Sequence, residues 1–514
     1  MVVVLALLAA AWGFVLSIPL TGADVWPILA QGNRFLDDPS ILWKQTYLEG
    51  LWAGAKFWRP ATVAIAGIQW ALFGESPWPY HAMRLAVFLV AVLLVAHASS
   101  LRAPRLQVAW LAGALLYMLH PVQTESVPAI ARDADGWVNV LMITSIILLS
   151  RARESASAWP TIVGCAAALS APFFKEPALL APVISGIVLA PWERRSSRSR
   201  RIWLACLSLG LGLAIHIGFR YLLMGTVGHY LSVRYAVGRI DSARQLLRAL
   251  FDHQDLAVAW PIAAILLGLA FVCLGLARTA RIPSSPQWIR VRNGCLVWIF
   301  VSSAVFIASA RFRPRYSEAI LAPIVILIAG WLGSIIQLRR ESSGRSRSLI
   351  GLALVLVTLS LPIGMLTGTP LIWDYGQWKL AGTTSDRILA SITSATRASH
   401  DSGRPMRVDS GRFQTIAFPS LEESGKTDFR LTPYPYKTRQ PPGWRSGRIS
   451  TVVIMGPQSL NGYLELTGLI EIIGTVYPGT PALDIGPEDI GPVLPPREIS
   501  ALPDANEERE PNSS

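Results

Sequence analysis

The feature that most constrains this chain is a succession of apolar runs of bilayer length, separated by short loops in which arginine is concentrated. A hydrocarbon core needs about 17–25 apolar residues per helix. Runs of about that length fall at 1–20, 79–101, 106–121, 136–150, 158–174, 177–191, 202–224, 256–277, 294–310, 317–338 and 349–368. With 52% hydrophobic and 15% charged residues in 514, such a chain is an all-α polytopic membrane protein of about eleven transmembrane helices. The run at 1–20 has no basic residue before it and is long for a signal-peptide core, which predicts a retained helix.

Positive charge resists translocation, so the arginine bias of short loops sets orientation. The loops after the second, fourth, sixth, eighth and tenth runs hold seventeen arginines, from Arg102 to Arg347, against only Glu154, Glu193 and Glu341. Those loops are predicted cytoplasmic. The parity holds if residues 61–74, short for a span and carrying Gln69, form a helix lying in the outer interface. The net charge of +13 is then mostly cytoplasmic anchoring, and no nucleic-acid partner is implied. Cys165, Cys206, Cys273 and Cys295 fall in or beside spans, with neither a disulfide framework nor zinc spacing.

Three domains follow: a transmembrane domain at 1–368 with a large first outer loop at 21–78, a small α+β extracytoplasmic domain at 369–479, and a disordered tail at 480–514. In the second, residues 385–399 read as helix, and 451–455 and 469–477 as strands.

The outer loops collect the ionisable residues that the spans exclude. Asp24 opens the first, which also carries Asp37, Asp38, Lys44, Lys56 and Arg59; Glu125, Arg132, Asp133 and Asp135 lie in the second, Lys175 and Glu176 in the third. His229, Arg234, Arg239 and Asp241 follow in the fourth, and Arg311, Arg313, Arg315 and Glu318 in the fifth. Ionisable groups at membrane depth are costly unless paired or facing a wet cavity, so they mark function by default. Lys175-Glu176 reads either as a self-satisfied ion pair topping two helices or as a lysine that binds phosphate, oriented by the glutamate. His120, at a span end, is either a cap or a member of the site with Glu125 and Asp135.

Several segments then fall into a known order: Phe57-Trp58-Arg59-Pro60-Ala61-Thr62, Leu72-Phe73-Gly74 through Tyr80-His81, Leu119-His120-Pro121-Val122-Gln123-Thr124-Glu125-Ser126-Val127, Lys175-Glu176-Pro177, and Arg315-Tyr316. Over roughly residues 1–370 they resemble the GT-C superfamily of integral membrane glycosyltransferases. The likeness is to the branch of protein O-mannosyltransferases and tetratricopeptide-bearing transmembrane O-mannosyltransferases. The chain departs from that pattern in three places. Asp24 is followed by Val25 rather than a second acid, Arg132 is displaced by one residue, and no tetratricopeptide array follows the last span.

The resemblance implies a polyprenyl-phosphate sugar donor, a protein or glycan acceptor presented on the outer side, inversion at the anomeric carbon, and a multi-pass location in the cell (inner) membrane. A carboxylate must take the acceptor proton and cations must hold the leaving phosphate. Asp24 is the expected base, with Asp135 or Glu125 orienting the acceptor. Arg59, Lys175 and Arg315 are the expected phosphate ligands, and His81, His120, Glu176 and Tyr316 line the pocket. No bound cofactor or metal is required by this chemistry. Trp43, Trp52 and Trp58 read as a wall for the lipid chain or as ordinary interfacial belt residues. A transporter or flippase of a lipid-linked glycan is the alternative, weakened by the lack of an inverted repeat. A membrane scaffold with a sensor domain leaves Lys175 and Arg315 unexplained.

Overall fold

The computed structural model describes residues 2–18, 25–44, 57–74, 76–102, 107–120, 122–190, 199–226, 285–308, 318–342, 344–365, 415–416 and 451–452. Two compact units are defined. One comprises Met1–Leu16, Ile28–Glu49 and Gly54–Trp373, the other Ser17–Pro27, Gly50–Ala53 and Asp374–Ser514. In the second, strands β1 (Thr415–Ile416) and β2 (Thr451–Val452) pair antiparallel, with Thr415 opposite Val452. The helix expected at 385–399 and the strand at 469–477 lie outside the described residues.

The first unit is helical. Its elements are α1 (Val2–Trp12, prolonged by a 3-10 turn), α2 (Val25–Asp37), α3 (Ile41–Lys44), α4 (Pro60–Phe73), α5 (Pro77–Ser100), α6 (Gln107–Met118) and α7 (Gln123–Ser126). These are followed by α8 (Asp133–Ala152), α9 (Trp159–Ser170), α10 (Ala181–Leu189), α11 (Ser199–Met224), α12 (Pro286–Ala308), α13 (Glu318–Glu341) and α14 (Gly344–Met365). Among the described residues, Pro77–Ser100, Asp133–Ala152, Arg200–Met224 and Glu318–Glu341 are long and apolar enough to cross a membrane. At 1.5 Å per residue the 24 residues of α5 reach about 36 Å, more than a hydrocarbon core of about 30 Å. On α11, Leu204, Leu207, Leu211, Ile215 and Leu222 recur at helical spacing and are all more than half exposed, an outward stripe suited to lipid. The span expected at 256–277 lies outside the described residues.

Around α5 pack α6, α8 and α13. Near its start Arg84 meets Asp133 of α8 and Glu318 of α13; near its end His97 meets Arg151 of α8 at 2.7 Å. With Arg102, just past α5, 2.7 Å from the Ser334 hydroxyl late in α13, helices α5, α8 and α13 run parallel, and the bundle has two chemically distinct ends. At the far end Arg201 donates to the carbonyls of Ala152, Ser155 and Ala156, closing the last turn of α8, while Arg290 binds the Ser150 carbonyl and the Glu154 carboxylate.

Within residues 21–78, α2 and α3 form ahead of α4. Two expectations are corrected. The span expected from residue 136 begins at Asp133, so both aspartates sit on the first helical turn, where the positive end of the helix dipole favours carboxylates. The span expected from 294 begins at Pro286, putting Arg290 and Arg292 on α12.

Helix α2 lies on α4 backbone to backbone. A Cβ on Gly32 would stand 2.5 Å from the Gly67 nitrogen, and one on Gly67 would stand 2.7 Å from the Gly32 oxygen. Gly67→Val should therefore destabilise the unit by about 1–3 kcal/mol through overpacking, read as a lower unfolding midpoint in detergent. An unchanged midpoint would mean that α2 does not dock in this way.

Candidate active site

Two of the site segments run into prolines that help open a helical turn, a position proline suits. Arg59 stands at φ −136°, ψ 61° just before Pro60 opens α4, and Lys175, on extended backbone at φ −160°, ψ 147°, precedes the turn that Glu176 and Pro177 begin.

Arg59 grips Glu176 with its planar fork: Nε lies 3.2 and 3.1 Å from the two carboxylate oxygens, and Nη2 lies 2.7 Å from Oε2. Its guanidinium carbon sits 4.6 Å from the centroid of the Phe57 ring. From α11, the fully buried Arg220 donates to the Trp58 carbonyl at 2.6 Å and to Glu176 Oε1 at 3.4 Å, and its Nε lies 3.0 Å from His216 Nε2. Trp58 is closed in by Phe219, His216 and Phe173 at ring distances of 5.0, 5.2 and 5.6 Å, and its Nε1 donates to the Leu42 carbonyl at 2.7 Å.

Beside this lies a second pair. Lys175 Nζ is 2.5 Å from both oxygens of Asp135, and Arg132, one turn earlier, approaches Asp135 at 3.6 Å. Burial pulls the Lys175 ammonium below the usual lysine range, and the Asp135 carboxylate opposes that shift. Arg59 is near enough to Lys175 for their charges to repel, which joins the two pairs into one electrostatic field.

The third group centres on Arg84. Arg84, 1% exposed, stands 3.7 Å from Asp133 and 3.6 Å from Glu318, and its Nη2 donates to the Ser126 carbonyl at 3.2 Å. Gln69 of α4 donates to Asp133 at 3.3 Å. The guanidinium lies against the backbone of Gly136, where a Cβ would come within 2.2 Å of Nη1. Glycine is needed there for close approach. Together five cations (Arg59, Arg84, Arg132, Lys175, Arg220) and four carboxylates (Asp133, Asp135, Glu176, Glu318) gather at this end.

Of the residues expected from sequence, Arg59, Lys175, Glu176 and Asp135 meet here. His81 is buried one turn before Arg84. His120 Nδ1 accepts the Val122 N–H at 3.2 Å, a turn-closing bond. Asp24, Arg315 and Tyr316 lie outside the described residues, as does the side chain of Glu125 on α7. Lys175 and Glu176 are not a self-satisfied pair, since each bonds to another helix. Glu176 orients Arg59, not Lys175. Trp58 is core, not wall or belt, at 2% exposure, whereas Trp43 is half exposed. Asp38 accepts the Ser40 N–H and hydroxyl in a local turn.

Arg220 and Glu318 went unassigned in the sequence. Arg220 is an ionisable residue inside an apolar run with His216 one turn before it, a signal of the kind that marks intramembrane function. Among the described residues no group of three or more His, Cys, Asp or Glu side chains is placed to hold a metal.

No protein-family model matches the chain, and no curated protein matches it. Two crystal structures of ArnT from Cupriavidus metallidurans are similar in shape. The one bound to undecaprenyl phosphate is 13% identical, with 76% of this chain and 80% of that chain covered and a TM-score of 0.46. The apo one is 14% identical, with 77% and 80% covered and a TM-score of 0.44. At this distance the likeness transfers no residue and no activity, and the side chains carry the functional reading.

Arg84→Leu should strand two buried carboxylates and cost about 3–5 kcal/mol. Adding Glu318→Gln should recover part of that loss in thermal unfolding, whereas strictly additive effects would refute the Arg84–Glu318 pairing.

Proposed function

We propose that this chain is an inverting membrane glycosyltransferase of the GT-C type, moving a sugar from a polyprenyl-phosphate donor to an acceptor on the outer face of the cell membrane. The observation that supports it is the gathering of Arg59 and Lys175 with Asp135 at the bundle end away from the basic loops. A phosphate whose lipid tail stays in the bilayer arrives at such an end. Two cations with little competing water suit a leaving phosphate better than surface cations would.

In this reading Asp24 takes the proton of the acceptor hydroxyl. The hydroxyl oxygen bonds to the anomeric carbon from one face while the bond to the phosphate oxygen breaks on the other, which inverts the centre. Arg59, Lys175 and Arg315 stabilise the charge that develops on the departing polyprenyl phosphate. Asp135, with Glu125, orients the acceptor, and Glu176 keeps the Arg59 fork aimed. His81, His120 and Tyr316 complete the pocket. The sugar is a hexose, mannose by the resemblance, and the acceptor is a protein or glycan. Residues 369–479 form an extracytoplasmic domain that shapes the acceptor side.

Asp24→Asn should lower transfer from a polyprenyl-phosphate sugar about 100- to 10,000-fold with folding intact. Normal turnover would remove the base assignment. Arg59→Ala should weaken donor binding about ten- to hundredfold, the range for a charge-assisted hydrogen bond. Glu176 keeps Arg220 in that variant, so the fold should hold. An unchanged donor affinity would argue against the phosphate role.

A further inference from the structure

We infer, on the basis of the glycosyl-transfer reading above, that donor binding works by exchange of ion-pair partners. The lipid phosphate takes Lys175 away from Asp135 and so frees the Asp135 carboxylate for the acceptor. Donor therefore binds before acceptor.

The geometry makes each group mask the other. With Nζ 2.5 Å from both Oδ1 and Oδ2, the ammonium spans the carboxylate symmetrically. Both oxygens then bond the one ammonium, which lowers their basicity toward a hydroxyl proton. The same contact holds the lysine charge away from any incoming phosphate. Asp135 and Lys175 have side-chain exposures of 13% and 9%, so water does little to loosen them. A buried carboxylate released from its cation with nothing in exchange is costly, so the pair should open only when another anion takes the lysine.

What remains after the exchange is already in place. Arg132 stands 3.6 Å from Asp135, near enough to keep it ionised and too far to occupy its lone pairs with a hydrogen bond. On the other side Glu176, held also by Arg220, keeps the Arg59 fork aimed while Arg59 meets the same phosphate. Lysine suits the moving role because its point charge rides a flexible stem, whereas the Arg59 fork is geometrically fixed. Arg59 repels Lys175 in the unliganded protein, and a phosphate between them turns that repulsion into shared attraction.

The test uses the full-length protein in detergent, with undecaprenyl phosphate and, separately, inorganic phosphate as probes. Wild-type protein should bind the lipid phosphate and be stabilised by it, and inorganic phosphate should do neither. Asp135→Asn, which removes the competing anion, should bind undecaprenyl phosphate about three- to tenfold more tightly, a coupling typical of neighbouring charges. It should also gain more thermal stability from that lipid. Binding equal to or weaker than wild type would overturn the exchange. Absence of any lipid-phosphate binding by wild type would instead sink the glycosyl-transfer reading, and equal stabilisation by inorganic phosphate would make the site one for a soluble anion. Should Asp135→Asn not fold, wild-type infrared difference spectra decide. A carboxylate band that shifts on adding undecaprenyl phosphate supports the exchange, and an unchanged one contradicts it.

Discussion

The arrangement depends on the cost of burying charge. Ionised groups removed from water must be paired and hydrogen-bonded, or the fold cannot hold them. Among the described residues, nine such groups from the segments before α4, α8 and α10 and from α5, α8, α11 and α13 meet at one end of the bundle. Each carboxylate in that set has a cation from a different segment. The pairing therefore fixes the helices against one another as well as fixing the charges.

Local sequence explains how the groups are aimed. The steps Arg59-Pro60 and Glu176-Pro177 set helix starts, with Arg59 and Lys175 just ahead of them. Asp133, Asp135 and Glu318 occupy first helical turns, where the helix dipole offsets part of their burial. Gly136 leaves room for the Arg84 guanidinium to lie on the helix backbone.

Much of the helical pattern was legible, because apolar runs and arginine-rich loops are properties of composition and spacing. Arg59, Lys175, Glu176 and Asp135 were legible as charges that spans exclude. Their partners were not. A sequence cannot say that Glu176 turns to Arg59 and Arg220 rather than to its neighbour Lys175, since that depends on which helices pack together. Arg84, near the start of the second apolar run, was legible only as a pocket-lining candidate beside His81, and Arg220 was obscured because it lies within an apolar run. Trp58 was misplaced because tryptophan near a span end fits the interface as well as the core, and only its enclosure by Phe173, His216 and Phe219 decides the matter.

The central claim is that these charges surround a single lipid headgroup. A structure of the protein with a bound polyprenyl phosphate tests it most directly. The account predicts phosphate oxygens within hydrogen-bonding distance of both Arg59 and Lys175, with Lys175 withdrawn from Asp135. A phosphate seated elsewhere, with the Lys175–Asp135 pair intact, would contradict it.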